Sequence, residues 1–338
     1  MSHRSSSFAV VLILGAPLLA CPVGSRHAQR SADGVVFRVP NEDVGGFVAA
    51  ADSTLFLSTN RALYRNKNQS TRWERIPLPP GRPPIKLYAP SAGDVFALVD
   101  DCATVARWRE RTGWSEAVLP EPIAAIQQRV GCQTALDIWG RDSSDVYLVG
   151  SGGLIGHFDG QKWNQESNPL QVNDSAMDPL ERKLVSVSGD SNATYAVSYS
   201  KLLVREAGVW RNYEPRPDTT LVECFMRTVA VSQGHPVVGG IKPCMAISDG
   251  QRWHDVAQVR GFYDGLLYAR PQPDSTLLFW NRDGQLVELR RGSPIVYRTR
   301  ALKFVRGAAS RGGFVYVAGD YTEPGATIVR IPRSAVIK

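Results

Sequence analysis

No apolar run in this chain reaches the roughly 18 residues that mark a membrane-spanning helix. Glycine shows no triplet period and apolar residues show no sustained heptad, so collagen and coiled-coil rods are excluded. Charged residues are 21% of the chain against 43% hydrophobic, which is too apolar for a disordered protein. Histidine is scarce, at five in 338 residues, and no two cysteines have CxxC spacing. Structural zinc sites need such spacings, so no metal is expected. What the chain does have is 30 glycines and 22 prolines spread along its length, as many short strands and turns require.

The amino end reads as an address. His3 and Arg4 precede an apolar run from Phe8 to Ala20, too short for a helix across a bilayer. A basic start, a short apolar core and a small residue before a cut site make a secretory signal. Leu18-Leu19-Ala20-Cys21 resembles a bacterial lipobox, which implies a lipid on Cys21 and a new amino terminus there. Pro22 is not the aspartate that holds some such proteins at the inner membrane, so the outer membrane is favoured. Residues 21–32 have one apolar side chain larger than alanine, Val23, and fit a flexible tether. The expected divisions are 1–20 signal, 21–32 tether and 33–338 folded domain. Without Cys21, four cysteines remain: Cys102, Cys132, Cys224 and Cys244. An even remainder after export suggests two disulfides, with three connectivities open. Sequential pairing closes the shortest loops and is the expected one.

Residues 33–338 repeat one unit. Residues 136–163 read LDIWGRDSSDVYLVGSGGLIGHFDGQKW. Three runs of alternating apolar residues are separated by polar or glycine turns, and a fourth short segment holds Trp163. That is a four-stranded antiparallel meander. Its second strand recurs around Leu55, Phe96, Tyr147, Tyr195, Val237, Leu277 and Tyr316, at spacings of 39 to 51 residues. A closing tryptophan recurs at Trp73, Trp114, Trp163, Trp210 and Trp253, and Tyr297 is read as its sixth counterpart. Seven units of about 45 residues with four strands each describe an all-β fold, a single seven-bladed β-propeller. The seventh unit lacks its last strand at the carboxyl end. Asp33-Gly34-Val35-Val36-Phe37 mirrors Asp159-Gly160-Gln161-Lys162-Trp163, with Phe37 at the tryptophan position. The amino-terminal strand is therefore expected to complete the last blade and cover its edge.

These repeats resemble the degenerate seven-bladed propellers of bacterial envelope lipoproteins and secreted proteins, of the type IWG…DVYxVG…HFDGxxW. The third unit matches closely and the others in outline. The resemblance implies architecture and an envelope setting. Ser248-Asp249-Gly250-Gln251-Arg252-Trp253 is also loosely similar to the Asp boxes of sialidases and photosystem assembly propellers, where the motif stabilises a turn.

Signals of catalysis are few. Gly150-Ser151-Gly152-Gly153 lacks the glycine at 155 of a dinucleotide loop and the glycine at 149 of a nucleophile elbow, so it reads as a hairpin turn. His157 lies in a third strand, where a structural role is expected. His254 and Asp255 are strand neighbours and point to opposite faces, which suits no relay. Asp100-Asp101 and Asp142/Asp145 read as loop carboxylates capping turns. The first strands carry almost no acids, Asp137 excepted. No catalytic residue and no cofactor is assigned. Trp139, on a first strand near the central channel, is a candidate contact residue. Net charge is +7, and seven cations stand between Arg290 and Arg311 without an acid: Arg290, Arg291, Arg298, Arg300, Lys303, Arg306 and Arg311. On a secreted protein that run points to acidic glycans, anionic headgroups or acidic proteins rather than nucleic acid. The expected function is a binding or scaffold module for envelope proteins or glycans, working as a monomeric ring. The alternative is a carbohydrate-active hydrolase or lyase with its site in the channel.

Overall fold

Short segments of three to eight residues, bounded by turn residues, form antiparallel meanders, and blades stacked side by side bury the inner strands on both faces. A computed structural model describes residues 34–67, 70–78, 83–99, 104–119, 135–171, 178–214, 224–241, 244–256, 265–320 and 325–335. Among these are seven four-stranded sheets, the blades of a propeller. Blade 1 holds β2 (Val44–Ala49), β3 (Leu55–Thr59), β4 (Ala62–Asn66) and β5 (Glu74–Pro77). Blade 2 holds β6 (Pro84–Ser91), β7 (Asp94–Val99), β8 (Thr104–Arg109) and β9 (Gly113–Val118). Blade 3 is β10 (Ala135–Gly140), β11 (Val146–Gly150), β12 (Ile155–Phe158) and β13 (Trp163–Gln165). Blade 4 is β14 (Ser186–Gly189), β15 (Thr194–Val197), β16 (Leu202–Glu206) and β17 (Val209–Asn212). Blade 5 is β18 (Phe225–Ser232), β19 (His235–Ile241), β20 (Cys244–Ser248) and β21 (Trp253–Asp255). Blade 6 is β22 (Tyr268–Pro271), β23 (Leu277–Trp280), β24 (Gln285–Arg290) and β25 (Ser293–Arg298). Blade 7 combines β26 (Phe304–Arg311), β27 (Phe314–Asp320) and β28 (Gly325–Pro332) with β1 (Gly34–Pro40). No helix among the described residues is long and apolar enough to cross a membrane.

The closure expected from the sequence is present. β1 lies antiparallel on β28, from Gly34 opposite Arg330 to Pro40 opposite Gly325. The core is distributed rather than central. Each pair of adjacent blades encloses its own cluster, such as Val48, Phe56 and Ile76 against Leu87, Val95 and Trp108 between blades 1 and 2. The last cluster joins Tyr316 and Ile328 of blade 7 to Leu55 and Tyr64 of blade 1. Polar groups staple the same interfaces. Arg65 of blade 1 donates to Glu110 of blade 2 at 3.0 Å, and Arg205 of blade 4 donates to Glu166, which follows blade 3, at 2.8 Å.

Two sequence readings need correction. Trp163 pairs with Phe158, the last residue of its third strand. Tyr297 instead pairs with Leu286, near the other end of its blade, and Phe37 pairs with Ile328, midway along its strand. Neither stands at the tryptophan position. Tyr297 is buried there because its hydroxyl donates to the buried Glu288 at 2.8 Å. Phe37 stacks on Trp73, with centroids 4.6 Å apart, and so seals blade 7 to blade 1.

Candidate functional site

All first strands begin at one face of the ring, the mouth face, and run toward the other. Each can present a side chain to the channel, and which one it presents depends on a local irregularity. Five first strands carry an extra residue near their start: Gly45, Ile85, Leu136, Arg227 and Arg306 have no partner across the ladder. Such a bulge adds twist and re-aims the side chains after it. Opposite two of these bulges the backbone comes so close that only glycine fits. A Cβ on Gly240 would lie 2.2 Å from the Phe225 carbonyl oxygen, and one on Gly319 would lie 2.0 Å from that of Phe304.

Beyond the bulges, blades 2 to 6 line a mouth pocket of about 220 Å³. Its charged lining is Lys86, Asp137, Lys183, Arg227 and Arg270, with Ser186, Tyr199, Thr228 and Tyr268 as neutral polar groups. Four cations thus face one carboxylate, and that carboxylate is already neutralised. Asp137 accepts from both Arg270 nitrogens, at 2.5 and 3.3 Å, and from the Val187 N–H at 3.1 Å. Asp137 is therefore a structural acceptor, not an available general base.

Two of the remaining cations, Lys86 and Arg227, crowd tyrosines. The Lys86 ammonium lies 4.8 Å from the Tyr268 ring centroid, and the Arg227 guanidinium lies 4.8 Å from that of Tyr199 while also donating to its hydroxyl. Burial pushes the Lys86 ammonium below its ordinary pKa; Asp137 opposes this and Arg270 adds to it. Burial raises the Tyr268 phenol, yet Lys86, a hydrogen bond from Arg282 and the Arg227 charge outweigh that and hold it below its usual value. The Tyr268 shift reports the positive charge around it, and the Lys86 shift reports burial. Trp280 Nε1 is buried at the pocket wall with no hydrogen-bond partner among the described residues.

Farther along the channel is a second cavity, of about 70 Å³, lined by Val48, Leu87, Ala89, Ile138, Trp139 and Ala308 among others. Trp139 is among the residues lining this cavity, but its side chain is buried in the cluster between blades 3 and 4 and stacks toward Tyr147 at 6.4 Å.

The basic run between Arg290 and Arg311 is not one patch. Arg290 and Arg291 occupy the turn joining β24 to β25, at the face opposite the mouth. Arg290 donates to Glu288 at 2.7 Å. Arg298, Arg300 and Lys303 are exposed at the mouth end of the same connection, and Arg306 pairs with Asp320 at 3.5 Å. Arg311 is buried and donates to the Asn66 carbonyl at 3.3 Å. None of the seven lines the mouth pocket. Cys224 is bonded to Cys244, with Cα atoms 5.8 Å apart. Cys21, Cys102 and Cys132 lie outside the described residues, as do Asp100 and Asp101.

The histidines take structural places. His157 is held between Asp145 at 2.8 Å and Glu166 at 3.0 Å, under a parallel Tyr147 ring. His254 meets Asp249, at 2.7 Å, in an exposed turn where Asp249 also accepts the Gln251 and Arg252 N–H groups. Asp142 caps its turn by accepting from the Ser144 N–H and hydroxyl, both at 2.7 Å. Lys86, Lys183, Arg227 and Arg270 were not legible as a set. They stand in four different repeats, and in the repeats of Lys86 and Arg227 a bulge also breaks the alternation.

No family model matches the chain, and no curated protein matches its sequence. Solved structures do share its fold. A streptogramin B lyase structure superposes with a TM-score of 0.68 at 12% identity, covering 88% of this chain and 96% of that one. Ycf48 from Cyanidioschyzon merolae gives 0.62 at 12% identity, covering 90% and 100%. Ycf48 bound to D1 peptide gives 0.60 at 12% identity, covering 88% and 96%. At such identities the likeness establishes a seven-bladed propeller similar to these proteins and leaves the activity to the site.

Proposed function

We propose that this protein is a binding module of the cell envelope that captures an anionic ligand in the mouth of its channel. The ligand class is an acidic glycan or an acidic segment of an envelope protein. One observation carries the reading: Lys86, Lys183, Arg227 and Arg270 converge on a pocket whose single carboxylate is already paired. A cationic pocket in a low-dielectric wall attracts anions and discriminates against cations. The proposed setting is an outer-membrane lipoprotein, held through a lipid on Cys21, with the ring as a monomer. Mass spectrometry of the mature amino terminus tests the anchor, and an unmodified Cys21 would refute it.

The binding test is calorimetric titration with acidic oligosaccharides and acidic peptides against Lys86→Met and Arg227→Met. Each lost charge-assisted hydrogen bond should weaken binding about tenfold to a hundredfold. The Lys86→Met protein should melt no lower than the parent, because the ammonium is disfavoured by its burial. An anion at Lys86 favours the charged amine, so affinity should fall as pH rises through the lowered pKa of Lys86. Undiminished binding by both variants would overturn the proposal.

A second reading is an elimination on an anionic substrate, as a lyase performs. Its support is the Lys86–Tyr268 pair, both shifted toward loss of a proton. It ranks lower because the ammonium lies over the ring face, 4.8 Å from the centroid, rather than in line with the phenol oxygen. Turnover in a panel of acidic glycans would promote it.

A further inference from the structure

The two channel cavities are in series. Along β6 the mouth pocket uses Lys86, and the deeper cavity uses Leu87 and Ala89. Along β10 the same division falls between Asp137 and Ile138, and along β22 both cavities share Arg270. The Arg270–Asp137 pair therefore stands at the boundary, reaching from blade 6 to blade 3. The two compartments differ in chemistry. The mouth is cationic, whereas the deeper lining is mostly aliphatic and aromatic. Its polar members are already engaged: Gln272 accepts from the Ser310 N–H at 2.7 Å and donates to the Arg270 carbonyl at 3.0 Å, and the Tyr88 hydroxyl reaches the Asp142 carbonyl at 3.5 Å. An apolar cavity of that kind stays dry and takes apolar groups.

We infer that the channel binds a carboxylate attached to a short aliphatic group, the carboxylate lying at the Lys86 ammonium beside the intact Arg270–Asp137 pair and the aliphatic part filling the deeper cavity. This rests on the anion-binding reading above and narrows it. Lys86 faces the mouth one residue before Leu87, where the deeper cavity begins, so a short chain on a carboxylate at Lys86 points into that cavity. Asp137 keeps both Arg270 and the Val187 N–H, so no buried carboxylate loses its cation. A sugar acid fits poorly, because its hydroxyls would enter a cavity whose polar groups have partners already.

The test is calorimetric titration of the full chain with acetate, butanoate, pentanoate and glucuronate, with butylammonium as the charge control. Affinity should rise about fourfold per added methylene until the cavity is full. Glucuronate should bind more weakly than butanoate, and butylammonium should not bind. Ala89→Val and Ala308→Val each narrow the cavity and should flatten the chain-length series while leaving acetate affinity unchanged. Saturation transfer from the alkyl protons to the Trp139 indole reads occupancy without any variant. Chain-length-independent affinity in the parent protein, or glucuronate binding as well as butanoate, overturns this inference and leaves anion binding intact. No binding of any carboxylate, acidic glycan or acidic peptide overturns both.

Discussion

His157 shows how a side chain's charge state is decided by two carboxylates of its own repeat, Asp145 and Glu166. Burial lowers its pKa, but the hydrogen bonds to Glu166 and Asp145 outweigh this and raise it above the ordinary histidine value. Glu166 responds in kind. Burial raises it, and bonds from His157, Arg205 and Trp210 hold it down to about 2. The signs give opposite pH windows. The His157 contribution is fully present below the unfolded histidine pKa and is lost as pH rises through the higher folded one. The Glu166 contribution is present above the unfolded carboxylate pKa and is lost as pH falls toward about 2. Urea midpoints measured from acid to mildly alkaline pH should therefore fall at both ends. In His157→Gln the alkaline fall should vanish and the acid fall remain. An unchanged alkaline limb in that variant would show that another group controls it. The third-strand position of His157 is readable from the sequence. Its partners Asp145 and Glu166 lie in the same repeat, but the Arg205 and Trp210 bonds that fix Glu166 depend on how blade 3 meets blade 4.

At the scale of the element, β1 decides whether seven sheets make a closed ring. Without it β28 would expose a full edge, and Phe37 would leave Trp73 and Tyr64 uncovered. Deleting residues 33–40 should abolish cooperative melting by calorimetry. A deletion protein that melts as the parent does would show that β1 merely decorates a ring closed by packing between blades. The strand and its role are legible because the repeat is short of one segment at one end and has one to spare at the other. Bulges are not legible in the same way. Alternation gives the faces of β10 correctly until Leu136 intrudes, after which every later side chain changes face. The aromatic misplacements have a related cause. Tyr297 and Phe37 align with the tryptophans by chemical likeness, whereas ladder register places Tyr297 near the opposite end of its strand and Phe37 at the middle of β1.

The whole molecule has no single core. It has a cycle of interfaces, so its stability is nearly a sum over neighbours. The Arg270–Asp137 pair is an exception, since it joins blades three apart across the channel. Replacing Arg270 by Met leaves a buried carboxylate without its cation and should cost about 3–5 kcal/mol. Replacing both, as Arg270→Met with Asp137→Asn, should cost less than the first alone, because the orphaned charge is gone. A double-mutant cycle from chemical denaturation measures this, and strictly additive costs would show that the pair is not coupled.

The amino-acid sequence by itself determined the repeat, the blade number and the strand order of this protein, along with the closing of the last blade by the first strand. Those features are local: they depend on alternation within a strand and on turns a few residues long. The tertiary structure decided where charge gathers. The contiguous cations between Arg290 and Arg311 were divided between opposite faces by one antiparallel hairpin. Lys86, Lys183, Arg227 and Arg270 were brought to one pocket by the curvature of the ring. Sequence distance within a strand sets which end of a blade a residue reaches, but only closure of seven blades around an axis makes neighbours of residues in different repeats.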